Sequence, residues 1–290
     1  MVWLKGFALL VALLAIAAAG LSAWGTRRWA ASTQALTARL EAGRLPAVAA
    51  FPARYDPREI EGLPVPVRRF FQATLTPGQA MVSAATVEHA GAFNMAATGA
   101  PQWKAFTSRQ RVVTRQPGFL WDAEIAMAPG LVVRVHDAYV QGRGLLHAAV
   151  MGLFSVARVE GDGEIARGEL MRFFAETAWY PTALLPSQGV RWDAVDDHAA
   201  KATLANGPLV LTLLFGFDDA GLMTSVRAEA RGRMVGKSME MAAWEGRWSN
   251  HQRRDGMTVP LTGEVVWLLP EGRQPYWRGT ISALAYEWAD

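Results

Sequence analysis

The chain has 290 residues, 51% of them apolar and 19% charged, with a formal net charge of +3. Disorder needs low hydrophobicity and high net charge, so it is excluded, and a chain of this length can bury a sizeable core. Cysteine is absent, which excludes disulfides, thiolate metal sites, cysteine nucleophiles and a cysteine-linked lipid. The 25 Arg and 4 Lys are scattered among acids, a pattern that does not point to nucleic acid as a partner.

Residues 6–23 are an apolar run without a charge, with Trp3 and Lys5 before it and Trp24, Arg27, Arg28 and Trp29 after it. Eighteen residues at ~1.5 Å each span ~27 Å, close to the thickness of a hydrocarbon core. Tryptophan at both ends matches the interfacial belt of membrane proteins. The run is long for a cleavable signal peptide, and Leu21-Ser22-Ala23 is a mediocre cleavage site, so a retained single-pass anchor is expected. Basic residues beyond the run lean toward a cytoplasmic main domain by the positive-inside rule. An N-terminal anchor followed by a β-rich domain is a common exported layout, and the slight preference is for the extracytoplasmic side.

Residues 28–44 are Ala-rich and proline-free and read as a helix continuing off the membrane as a stalk. Pro46, Pro52, Pro57, Pro64 and Pro66 then mark a linker. The organisation expected is an anchor with its flanks (1–29), a helical stalk and proline-rich linker (30–66) and one β-rich domain (67–290). Within that domain 67–75 reads as a short helix. From 81 onward short runs alternate between faces and are separated by Gly/Pro signals, as in 81–90, 103–114, 119–127 and 131–140. Residues 144–185 read as a helical insert: the apolar 145–156 as one helix, and 164–180 as a second, with Leu170, Phe173, Phe174 and Thr177 on one face and Pro181 as its stop. Strand signals resume in 189–194, 199–204, 209–217, 222–231, 237–248, 263–269 and 275–288. The fold class expected is α+β: a curved antiparallel sheet or open β-barrel of about ten to eleven strands with a helical insert.

Most chemical motifs fail. The run Gly232-Arg-Met-Val-Gly236-Lys237-Ser238 lacks the spacing of a phosphate loop and sits between strands. His89, His136, His147, His198 and His251 are too dispersed for a helical ligand pair, and no cofactor or metal is expected. Three constellations carry possible chemistry. Glu169, Arg172 and Glu176 fall on one helical stripe with Trp179 nearby, fit either to hold a polar head group or to form an acid/base pair. Trp192, Asp196, Asp197 and His198 cluster near a strand end, where the carboxylates and imidazole could do acid–base work. His136 and Asp137 end an alternating strand beside Tyr139. Nine of the twelve Trp lie beyond the anchor, enough to line an apolar concavity as well as a core.

The block 168–186 (GELMRFFAETAWYPTALLP), with Gly189-Val-Arg-Trp192 and Asp196-Asp197 after it, resembles a family of bacterial membrane-anchored proteins of unknown function. Shorter matches at 63–71 (LPVPVRRFF), 117–121 (PGFLW), 137–139 (DAY), 142–144 (GRG) and 276–278 (YWR) extend the resemblance over most of 63–288. It implies one folded unit and brings no activity. The order helix, strands, helical insert, strands also resembles the lipoprotein-carrier fold, an open barrel lidded by helices. The leading expectation is therefore an inner-membrane-anchored module that binds a lipid-like ligand, with Glu169, Arg172 and Glu176 at the rim and Trp179 and Trp192 as further ligand contacts. The alternatives are an envelope scaffold without a small ligand and a carboxylate-dependent hydrolase using Glu169, Glu176, Asp196, Asp197 or His198. A carrier requires an apolar concavity, a hydrolase requires carboxylates converging in a cleft, and a scaffold requires a filled core.

Overall fold

The computed structural model describes residues 2–44, 52–96, 99–236 and 238–289. Helix α1 (Val2–Ala42) is a single uninterrupted helix of 41 residues, rich in Ala and Leu and free of proline. Its first half is an exposed apolar cylinder long enough to cross a bilayer. Its second half is not the free stalk expected from the sequence. Trp29 and Leu40 are buried against the β-rich domain, and the helix lies along one face of the sheet. Of the proline-rich linker, 45–51 lies outside the described residues. The stretch 52–60 is held against the domain by a bridge between Arg54 and Ala80, a buried Tyr55 and a 3-10 turn at Pro57–Ile60.

The domain is one antiparallel sheet of 13 strands in the order β6-β5-β4-β3-β2-β1-β13-β12-β11-β10-β9-β8-β7. The strands are β1 (Val82–Asn94), β2 (Trp103–Val113), β3 (Gly118–Ala128), β4 (Leu131–Val140), β5 (Arg143–Val150), β6 (Phe154–Gly161), β7 (Arg191–Ala194), β8 (Ala199–Asn206), β9 (Leu209–Phe217), β10 (Met223–Val235), β11 (Ser238–Arg254), β12 (Met257–Leu269) and β13 (Gly272–Trp288). Two meanders, β1–β6 and β7–β13, meet side by side where β1 pairs with β13. Gln141-Gly142, Met151-Gly152 and Asp255-Gly256 have positive φ at both residues, the geometry whose twist suits a two-residue hairpin.

The strand count exceeds the ten to eleven expected because 145–156 is not a helix. It forms the end of a β5–β6 hairpin turning at Met151-Gly152. A strand covered on one face shows alternation, whereas one covered on both reads as a continuous apolar run. Strand β5 is of the second kind. Leu146, Ala148 and Val150 pack toward the main core, while Leu145 packs with Leu36 and Leu40 under α1.

The helical insert is accordingly shorter. Helix α3 (Glu164–Ala175) is followed by 3-10 turns at Glu176–Trp179, Pro181–Leu184 and Pro186–Gln188. The α-helix stops five residues before the expected Tyr180, where the Thr177 hydroxyl donates to the Phe174 carbonyl at 2.6 Å and the chain tightens ahead of Pro181. Helix α3 touches β3–β6 from one meander and β9 and β10 from the other, so it bridges the two meanders across the interior. Helix α2 (Val65–Thr74) brings Val67, Phe70 and Phe71 into the same core.

A patch of glycines lets aromatic rings lie flat on the inner face. Gly279 pairs with both Gly91 and Gly263. A Cβ on Gly279 would sit 2.5 Å from the Trp277 ring, and one on Gly263 2.7 Å from Trp248.

Candidate functional site

The charged stripe of α3 points into the interior, not to the rim where the sequence placed it. Glu169 and Glu176 are buried, and the Arg172 side chain is only 15% exposed. Arg172 Nη1 donates to Asp137 Oδ2 of β4 at 2.5 Å, Nε to Glu176 Oε1 at 2.8 Å, and Nη2 to Gln110 Oε1 of β2 at 3.1 Å. Gln110 Nε2 donates in turn to Glu176 Oε2 at 2.6 Å, closing a ring of three side chains. The guanidinium lies 4.8 Å from the Trp121 ring centroid and 5.0 Å from that of Phe119. Burial opposes the Arg172 charge, but Glu176 and then Asp137 beside it more than offset it and hold the group firmly protonated.

Glu169 has the opposite fate. Burial, then the neighbouring Asp137 charge, push its carboxyl well above the usual range, although Arg231 and Arg172 pull the other way. Neutral Glu169 hydrogen-bonds to Asp137. Glu169 Oε2 and Asp137 Oδ1 are both buried and accept from no donor among the described residues. With Glu169 neutral, two cations (Arg172, Arg231) face two anions (Asp137, Glu176), and the cluster is balanced.

Beside this cluster runs an aromatic belt. His89 lies 4.9 Å from Trp179 and 5.8 Å from Trp277 between ring centroids, Trp179 lies 5.2 Å from Trp248, and Phe106 joins Trp121 to Trp277 at 5.8 Å each. Ser108 Oγ is 3.3 Å from His89 Nδ1, and burial with the nearby Arg172 charge depresses the His89 pKa to about 3, so the ring is neutral. His89 Nε2, Tyr139 Oη and the indole nitrogens of Trp121, Trp179 and Trp248 are buried without a hydrogen-bond partner among the described residues. With Ser108 donating to Nδ1, all five are donors or can act as donors.

The other candidates lie elsewhere. Trp192 is buried, but its N–H goes to the Leu184 carbonyl at 3.0 Å and its ring packs on Phe71, Phe215 and Phe217, contacts of a core residue. Asp196, Asp197 and His198 form the exposed turn between β7 and β8, where Asp196 Oδ1 accepts the His198 backbone N–H at 2.8 Å. No cleft gathers them with Glu169 or Glu176. Asp137 and His136 divide between the two faces of β4. Asp137 enters the interior, whereas His136 lies under α1, stacked 3.9 Å from Trp29, with Nε2 2.8 Å from Thr33 Oγ1. Gln110, Asp137, His89, Tyr139 and Arg231 were not singled out as interior site residues from the sequence. Each is a polar residue in the inward register of a strand, as Gln110 is beside Ser108 between Phe106 and Val112.

Among the described residues, no group of three His, Asp or Glu side chains is placed to hold a metal ion. A groove of about 860 Å³ opens on the sheet at the glycine patch, bordered by Trp248, Glu245, Arg247, Glu264 and Arg278.

Residues 61–286 match the model of a family of unknown function, DUF6920. The chain belongs to that family. The match takes in α2, the whole insert and the strands that build the buried cluster, so the DUF6920 unit and the β-rich domain largely coincide. No curated protein matches the chain. Among solved structures, it is similar to a LolA superfamily protein from Nitrosomonas europaea, with 11% identity and a TM-score of 0.37 over 77% of this chain and 92% of that one. It is also similar to a DUF1329 family protein from Desulfovibrio piger, with 11% identity and a TM-score of 0.40 over 80% of this chain and 94% of that one.

Proposed function

We propose that this protein is a membrane-anchored binding module whose barrel interior takes an amphipathic, lipid-like ligand. The observation that carries the reading is the set of five unspent donors on an aromatic belt beside a charge-balanced cluster. A buried donor without an acceptor costs about 1–3 kcal/mol, so five in one interior favour a partner that supplies acceptors. The balanced charge around Arg172 and Arg231 favours uncharged acceptors, such as ester or amide carbonyls, over a free anion. Trp121, Trp179, Trp248 and Trp277 supply the apolar wall for an acyl chain. In this reading α1 anchors the module in a bacterial inner membrane, with the domain on the periplasmic side, and α3 covers the opening between the sheet edges.

A second reading is an envelope scaffold without a small ligand. It is favoured by the close filling of the interior, where Trp179, Phe174 and Leu184 are fully buried. One experiment separates the two. The full-length protein, in membranes, is photolabelled with a diazirine-bearing phospholipid and the adducts are mapped by mass spectrometry. Adducts on the peptides carrying Trp121 and Trp179 support the ligand site. Adducts confined to the apolar half of α1 leave the scaffold reading standing.

A further inference from the structure

We infer that the β5–β6 hairpin rides in the surface of the lipid bilayer, so that the open edge of the barrel meets the membrane. The inference rests on the anchor reading and extends it from α1 to the domain itself.

The apolar half of α1 ends against the β5–β6 turn. Gly25 packs directly on the β5–β6 turn: a Cβ there would run into the Met151 carbonyl, and one on Gly152 would sit 2.8 Å from the Gly25 carbonyl and 3.1 Å from Trp29 Cβ. Two backbones in contact leave no slack between the exposed helix and this turn. At the other end of the docked segment, Gln141 Nε2 of the β4–β5 turn donates to the Arg39 carbonyl at 2.9 Å. Helix α1 is therefore fixed along β4 at both ends, and its direction sets which end of the barrel faces the membrane.

That end carries apolar side chains that the fold does not use. Phe154 is 68% exposed and Val156 61%, both just past the turn, and Leu131 of the neighbouring β3–β4 turn is also exposed. Strand β6 is the sheet's edge, with one of its two sides unpaired. An uncovered apolar edge strand is an aggregation liability in water. Next to it stand the residues of an interfacial belt: exposed Trp24, with Arg28 5.9 Å from its ring centroid, and half-exposed Arg158 on β6 itself. Apolar side chains flanked by Trp and Arg, at the foot of a helix long enough to span, fit the chemistry of a bilayer surface.

The chain has no cysteine, so single-cysteine variants report without background. The full-length variants L13C, F154C and V210C are labelled with an environment-sensitive dye. They are reconstituted in phosphatidylcholine–phosphatidylglycerol vesicles with and without doxyl-labelled lipid. Leu13 lies in the apolar half of α1, and Val210 is an exposed residue of β9. The expected result is a blue shift and strong doxyl quenching at positions 13 and 154, and neither at 210. Quenching at 13 with a water-like signal at 154 overturns the inference and leaves the anchor standing. The same result with spontaneous F154C disulfide dimers assigns the edge to a second copy instead. A water-like signal at 13 removes the anchor and this inference with it.

Discussion

Trp29 of α1 lies flat on His136 of β4, with ring centroids 3.9 Å apart and planes 17° from parallel. The contact joins the long N-terminal helix to the sheet, and polar partners fix its geometry. Trp29 Nε1 donates to Asp122 Oδ1 at 2.9 Å, and Thr33 Oγ1 sits between Asp122 Oδ2 at 3.0 Å and His136 Nε2 at 2.8 Å. Burial lowers the His136 pKa to about 4, against the pull of Asp122. The unfolded chain therefore takes up a proton near pH 6.5 that the folded one refuses until about pH 4. Stability contributed by neutral His136 is present above pH 6.5 and is lost progressively as the pH falls toward 4. Thermal unfolding followed from pH 8 to pH 4 should show this decline, and His136→Gln, which keeps a donor for Thr33, should flatten it. The buried His89 leaves a residual slope of the same sign.

Removing the indole tests the docking itself. Trp29 is 3% exposed, and truncating a buried Trp to Ala costs about 3–5 kcal/mol. In Trp29→Ala, the segment 25–44 should become a protease-sensitive link. An unchanged digestion pattern would show that Leu40 and Gly25 hold α1 without it.

Glu169 makes the opposite pH prediction. Its raised pKa means that, between the ordinary carboxylate range and its folded value, the unfolded chain is ionised while the folded one stays protonated. Its contribution therefore weakens as the pH rises through that window. Glu169→Gln is neutral in both states. In chemical denaturation it should gain on the wild type as the pH rises above the ordinary carboxylate range. Equal slopes for the two proteins would mean that Glu169 is ionised in the folded chain.

Arg172 is the pivot of the interior. Breaking a buried ion pair from one side leaves the other charge uncompensated, at a cost of about 3–5 kcal/mol. Arg172→Met should lose stability on that scale, because Asp137 and Glu176 remain. Arg172→Lys should recover little, since a point charge cannot reach Asp137, Glu176 and Gln110 together as the planar fork does. Denaturant midpoints of the two variants check both statements.

Gly279→Ala probes the glycine patch. The new methyl would lie 2.5 Å from the Trp277 ring, and overpacking of this kind costs about 1–3 kcal/mol. A melt matching the wild type would mean that the ring moves aside at no cost.

Legibility in the sequence followed one-sidedness. Helix α3 was readable because its buried stripe recurs at helical spacing, and the outer strands because one face is wet. Strand β5 was not, because α1 covers the face that would have shown polar residues. The spacing of Glu169, Arg172 and Glu176 was visible, but their burial was not: the same stripe serves an exposed charge ladder equally well. What distinguishes the two is Asp137 and Gln110, single polar residues on strands distant in sequence, and only folding brings them opposite Arg172. The coupling of α1 to β4 was hidden for the same reason, since nothing local to Thr33 points to Asp122 and His136.

The seam between β1 and β13 has a consequence for how the chain is made. Val87 pairs with Leu284, so β1 waits for one of its two neighbours until β13 has been synthesised. The first meander can assemble early on hairpin contacts alone, yet it must expose a naked β1 throughout. A chain stopped short of β13 would leave both β1 and β12 as raw edges, open to pairing with any other nascent strand. Completion of the sheet thus acts as a checkpoint that waits on β13, and products truncated before it are destined for aggregation or proteolysis in place of partial function.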